Sequence, residues 1–69
     1  MMISVTINGE KRETSAETVV ALLTEEKVPL DAKGVAVAIN GSVIRKADWP
    51  YTTLIGGDVI EIVKPFSGG

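Results

Sequence analysis

Hydrophobic and polar residues alternate from the start of the chain, with Ile3, Val5 and Ile7 separated by Ser4 and Thr6. Period two marks a half-buried strand, because successive side chains of extended backbone leave on opposite faces. Asn8-Gly9 follows, and these residue types suit a type I′ turn, whose central residues both need positive φ. The pattern therefore predicts a hairpin with its second strand at roughly Glu10 to Thr14. That strand carries Lys11, Arg12 and Glu13, and so much charge places it at a sheet edge, where charge discourages pairing with other chains.

The period then changes. Val19, Leu22 and Leu23 fall on one face of a helix, with Val20 beside them and Glu25, Glu26 and Lys27 toward solvent. Ser15 or Thr18 supplies the cap. Pro29 is expected to end the helix, since proline disfavours helical backbone at the residue before it, and Asp31, Lys33 and Gly34 continue as a loop.

A second alternation runs through Val35, Val37 and Ile39 with Ala36 and Ala38 between them, followed by Asn40-Gly41 and a short strand from Val43 to Arg45. After an irregular stretch with Trp49-Pro50 and Tyr51, Gly56-Gly57-Asp58 turns the chain into a last strand, Val59 to Val63, where Ile60 and Ile62 face one way. One amphipathic helix covers only one face of one sheet, so this order predicts an α+β domain over residues 1–63 with a flexible tail over 64–69. Alternation sends Ala36, Ala38 and Val63 to the face away from the helix. They form a small-sided apolar surface there, read either as a partner-docking patch or as simple exposure of small residues.

Composition narrows the chemistry. The 69 residues are 45% apolar with a single Phe, Tyr and Trp, so the core must be built from Val, Ile, Leu and Ala, with Trp49 closing one end. A formal charge of −2 with scattered Lys and Arg leaves no basic footprint for nucleic acid or anionic lipid. Apolar runs such as Val35 to Ile39 are too short to span a bilayer, and Met1 to Gly9 lacks the regions of a signal peptide, so the expected location is cytoplasmic. Cys and His are both absent, which removes thiolate nucleophiles, imidazole acid–base groups and the usual zinc ligands. Neither a bound metal nor a bound cofactor is expected.

Side-chain motifs add little. Gly56-Gly57 leads into a strand rather than a helix, and no GxxxxGK(S/T) or GxGxxG exists, so turn geometry explains these glycines far better than a phosphate loop. Glu25 and Glu26 are adjacent and diverge, and Asp58 is placed to satisfy local backbone donors. What remains is the tail Lys64-Pro65-Phe66-Ser67-Gly68-Gly69. Pro65 stops ladder pairing, and Phe66 has no obvious core position, so it is read either as an anchor on a partner or as a ring folded back onto the sheet beside Val63. Gly68 and Gly69 lack Cβ and suit passage of a chain end through a narrow channel. A main-chain carboxylate is a poor electrophile until converted to an acyl-adenylate, and the sequence has no phosphate-loop motif, so ATP is expected to come with a partner enzyme.

Val35-Ala36-Val37-Ala38-Ile39-Asn40-Gly41, the segment Arg45 to Trp49, then Leu54-Ile55-Gly56-Gly57-Asp58-Val59-Ile60-Glu61-Ile62 and Gly68-Gly69 together resemble the ThiS family of thiamine-pathway sulfur carriers. The resemblance implies the ubiquitin-like β-grasp fold, one helix on one face of a mixed four- to five-stranded sheet. It also implies that Gly69 is adenylated by a ThiF-like enzyme and becomes a thiocarboxylate, with sulfur originating from cysteine through a donor such as a cysteine desulfurase. Thiazole synthase, a ThiG-like enzyme, would take that sulfur, and the carrier would do no catalysis itself. The molybdopterin-type sulfur carrier and a ubiquitin-like protein modifier are the alternatives, the latter distinguished by forming an isopeptide conjugate rather than a thiocarboxylate.

Overall fold

A computed structural model describes residues 1–31 and 33–64. Five strands form one mixed sheet in the order β2-β1-β5-β3-β4: β1 is Ile3–Ile7, β2 Glu10–Thr14, β3 Ala36–Ile39, β4 Ser42–Ile44 and β5 Val59–Val63. The first and last strands, β1 and β5, run parallel at the centre, and every other pairing is antiparallel. The α+β arrangement expected from the sequence is the one found, with all five strands present. The charged β2 is an edge strand, as its composition requires.

Both hairpin turns follow from their residues. Asn8 and Gly9 have φ of 49° and 84°, and Asn40 and Gly41 of 51° and 86°, the positive pair that a two-residue I′ turn demands. The strand after the second turn starts one residue earlier than expected, at Ser42, and ends at Ile44. Because the turn occupies only Asn40 and Gly41, pairing resumes at once with Ile39 opposite Ser42.

Helix α1, Val19–Glu25, is capped by Thr18, whose side chain accepts from the Ala21 amide at 3.2 Å. It ends before Pro29, and proline is not the cause. The Lys27 amide donates to Thr24 O at 3.1 Å and the Val28 amide to Leu23 O at 2.8 Å, while Lys27 sits at φ 61°. These are the two bonds of a Schellman motif, with buried Val28 and Leu23 supplying its apolar contact. Glycine is the residue that adopts this backbone without cost. Relief of left-handed strain, about 1 to 2 kcal/mol, outweighs the entropy that glycine adds to the unfolded chain, about 0.4 to 1 kcal/mol. Lys27→Gly should therefore raise stability by about 0.5 to 1 kcal/mol, read as a higher urea midpoint with unchanged slope; a lower midpoint would contradict the assignment of this stop.

Seven residues make a helix too short to stand alone, so packing holds it. Val19, Leu22 and Leu23 bury against Val5, Ile7, Val37, Ile60 and Ile62 of the sheet. The stretch expected to be irregular is a 3₁₀ helix, Lys46–Tyr51. It seats Trp49 in the core, where the indole nitrogen donates to Ile44 O at 3.0 Å. Pro50 lies inside this short helix, which is why the Trp-Pro pair reads as a break. At the far end of α1, Glu26 is only partly exposed and takes two bonds from Arg12 of β2, at 3.0 and 2.9 Å. Hydrogen bonding to Glu10 and the charge of Glu26 hold the Arg12 guanidinium still further toward its charged form.

Candidate functional site

β5 brings the chain to the tail. Its burial alternates, with Ile60 and Ile62 inward and Val59, Glu61 and Val63 outward. The turn before it is stapled by Asp58, which is buried and accepts from the Ile55 amide at 2.9 Å and from Asn40 Nδ2 at 3.1 Å. The Ile55 bond is the local backbone role that its position suggested, and the Asn40 bond adds a contact from the β3–β4 turn, 18 residues away. β5 ends at Val63 and Lys64 follows. Phe66, Gly68 and Gly69 lie outside the described residues.

The second part of the candidate site is the sheet face away from α1. Register places Ala36 directly opposite Val63 and Ala38 opposite both Glu61 and Val43. The three residues singled out from alternation therefore come together on one surface. Two more belong with them. Val43 and Val59 are 76% and 49% exposed, beside Val63 at 59%, and the same alternation that turns Ile60 and Ile62 inward could have placed Val59 there. Val43 joins through the two-residue turn, which fixes it opposite Ala38. The face divides by strand: β1 and β2 present Ser4 and Thr6 with Glu13 and Lys11 opposite them, whereas β5, β3 and β4 present the valines and alanines around the single carboxylate of Glu61.

No enclosed pocket forms among the described residues, and no group of three or more acidic, Cys or His side chains gathers there. No helix among them is long and apolar enough to cross a membrane. What the geometry offers is an exposed, largely apolar half-sheet that includes β5, the strand that leads into the tail. Such an arrangement can dock against another protein and deliver a chain end to it.

Comparison with known proteins fits this picture. The ThiS family model matches residues 5–69. The chain is 38% identical over 63 residues to the sulfur carrier protein ThiS of Thermus thermophilus, covering 91% of this chain and 95% of that one. Among solved structures, the crystal structure of the thiamine biosynthesis protein ThiS from Geobacter metallireducens superposes with a TM-score of 0.78 at 33% identity, covering 97% of this chain and all of the other. The solution structure of a thiamine biosynthesis protein from the same organism gives 0.78 at 30% identity, over 97% of this chain and 88% of that one. With the match running along nearly the whole sequence and the same helix-on-sheet fold beneath it, the chain belongs to the ThiS family of ubiquitin-like sulfur carriers.

Proposed function

We propose that the carboxylate of Gly69 is the working group and that the folded domain is the handle by which partner enzymes hold it. The observation that carries this reading is the family match itself, which continues past β5 and through residue 69. A carboxylate oxygen of Gly69 attacks the α-phosphorus of ATP in a ThiF-like adenylyltransferase, and pyrophosphate leaves. A sulfur nucleophile, a persulfide charged by a cysteine desulfurase, then attacks the acyl-adenylate carbonyl and AMP leaves. Reduction of the resulting acyl disulfide by a thiol gives the thiocarboxylate, which a ThiG-like thiazole synthase takes as sulfur donor. Thiazole formation, rather than molybdopterin formation, is the destination we propose for the sulfur, because the relatives named above belong to thiamine biosynthesis.

The chain supplies no catalytic side chain in this scheme. Gly68 and Gly69 thread the activating site, and Phe66 anchors the tail. Ordering a tail residue costs about 1 to 2 kcal/mol and burying a phenyl ring returns about 1.5 to 3 kcal/mol. The apolar half-sheet provides the remaining contact. Its docking role is tested with Ala38→Asp, which sets a carboxylate opposite Glu61 in the middle of the patch. Burying that group without a partner should weaken binding to the activating enzyme by about tenfold or more, measured by calorimetry on a variant shown to be folded. Undiminished binding would assign the face to simple exposure.

Adenylation itself is tested by ATP–pyrophosphate exchange: the activating enzyme should exchange label only when the carrier is present. Exchange that proceeds equally well without the carrier would defeat the proposal.

A further inference from the structure

Both hairpin turns use their asparagine for more than backbone conformation. Asn8 is the residue at which β1 gives way to its turn, so the parallel ladder between β1 and β5 loses its backbone partner there. The last backbone bond on that side runs from the Asn8 amide to Ile60 O at 2.9 Å. One rung further along β5, the Asn8 side chain takes over. Its Oδ1 accepts from the Ile62 amide at 2.8 Å and its Nδ2 donates to Ile62 O at 3.1 Å. A side-chain carboxamide has the same donor and acceptor set as a peptide group, and here it imitates the next step of a strand that has already turned away. The contact spans 54 residues of sequence.

Asn40 does the same at the other end of β5 and from the other side. Its backbone amide donates to Val59 O at 2.7 Å, and its Oδ1 accepts from the Val59 amide at 2.9 Å. Its Nδ2 bonds Asp58 Oδ1 at 3.1 Å. The two turn asparagines therefore close β5 at its first residue, Val59, and at its penultimate residue, Ile62.

We propose that Asn8 is a positioning residue for the reactive chain end: its carboxamide holds the end of β5 and so fixes where the tail leaves the domain. This inference rests on the proposed use of Gly69, because a defined departure point matters only if a partner must receive the tail at a set distance from the docked sheet. Without the Asn8 carboxamide, Ile62 would lose both backbone partners on the β1 side. The strand end would then fray on that side, and a docked carrier would present its terminus from a shifting origin.

The test compares Asn8→Gly with Asn40→Gly. Glycine keeps the positive φ of each turn without strain and removes only the carboxamide, so both variants retain the hairpin. Amide hydrogen exchange on each folded variant is followed by NMR, with Ile60, inside the β1–β5 ladder, as the ruler for global opening. In Asn8→Gly the Ile62 amide should exchange roughly tenfold faster relative to Ile60, whereas in Asn40→Gly the change should fall on Val59. With a ThiF-like enzyme and saturating ATP, Asn8→Gly should raise KM for the carrier severalfold with kcat near wild type, and Asn40→Gly should leave KM unchanged. Unaltered relative exchange at Ile62 would overturn the proposal. So would faster exchange there with an unchanged KM, or an equal rise of KM in both variants, which would mean general destabilisation. If wild-type carrier is not adenylated at all, the proposed function fails, while the exchange comparison still decides whether Asn8 holds the strand end.

Discussion

Removing Gly69 should abolish carrier-dependent ATP–pyrophosphate exchange, by at least about a hundredfold, and leave the melting temperature where it was. The first half follows from reach. A chain shortened by one residue places its new carboxylate about 3.3 to 3.6 Å back along the thread, and misplacing a reacting group by even 1 Å can cost on the order of 10²-fold. The second half follows from where the buried residues are. The buried apolar residues among those described run from Val5 to Ile62, and β5 ends at Val63. Exchange persisting in the shortened chain would remove Gly69 from the mechanism; a melting temperature lower by several degrees would mean that the tail belongs to the fold.

The largest effect on stability is expected at Ile60. This side chain has no exposed surface and sits in the central strand, between β1 and β3 and under α1. Ile60→Ala leaves a cavity at the point where sheet and helix meet, and truncations of this kind cost about 2 to 5 kcal/mol. A domain of 69 residues has roughly 3 to 10 kcal/mol in all, so the variant should be close to unfolded in buffer alone. Val63, three residues along the same strand and 59% exposed, makes the control: Val63→Ala should change stability by no more than about 0.5 kcal/mol. Urea denaturation of both variants decides the matter. Equal losses would show that the two faces of the sheet are not as different as their burial says.

How much of this was legible beforehand depended on whether the governing physics is local. The hairpins were readable because Asn-Gly and period-two alternation are local signals, and the structure places both turns where those residues stand. Thr18 was readable as one of two caps for the same reason. The helix stop was not, because it depends on Lys27 taking a left-handed conformation that glycine usually fills, and Pro29 offered a more obvious but incorrect terminus. The 3₁₀ helix was hidden by Pro50, which is a breaker in a long helix and compatible with a short one.

The candidate site was legible in part. Alternation grouped Ala36, Ala38 and Val63 correctly, and the same period in β5 marks Val59 as well, whereas Val43 joins them only through the pairing of β4 with β3, which no local pattern states. The Asn8 contact to Ile62 was invisible for the same reason: it requires the first and last strands to be neighbours. The chemistry of Gly69 has no local signature beyond two glycines. The role proposed for Gly69 is readable only through the resemblance of the whole chain to the ThiS family, a membership that the comparisons establish.

The most direct test is therefore made on the terminus. The purified chain is incubated with a ThiF-like enzyme, ATP, a cysteine desulfurase, cysteine and a thiol reductant, and its intact mass is measured before and after, with fragmentation to locate any change. The proposed function predicts replacement of one oxygen by sulfur, confined to Gly69. Sulfur on an internal residue, or an unchanged terminus under conditions in which the same enzymes convert the Thermus thermophilus carrier, would contradict it.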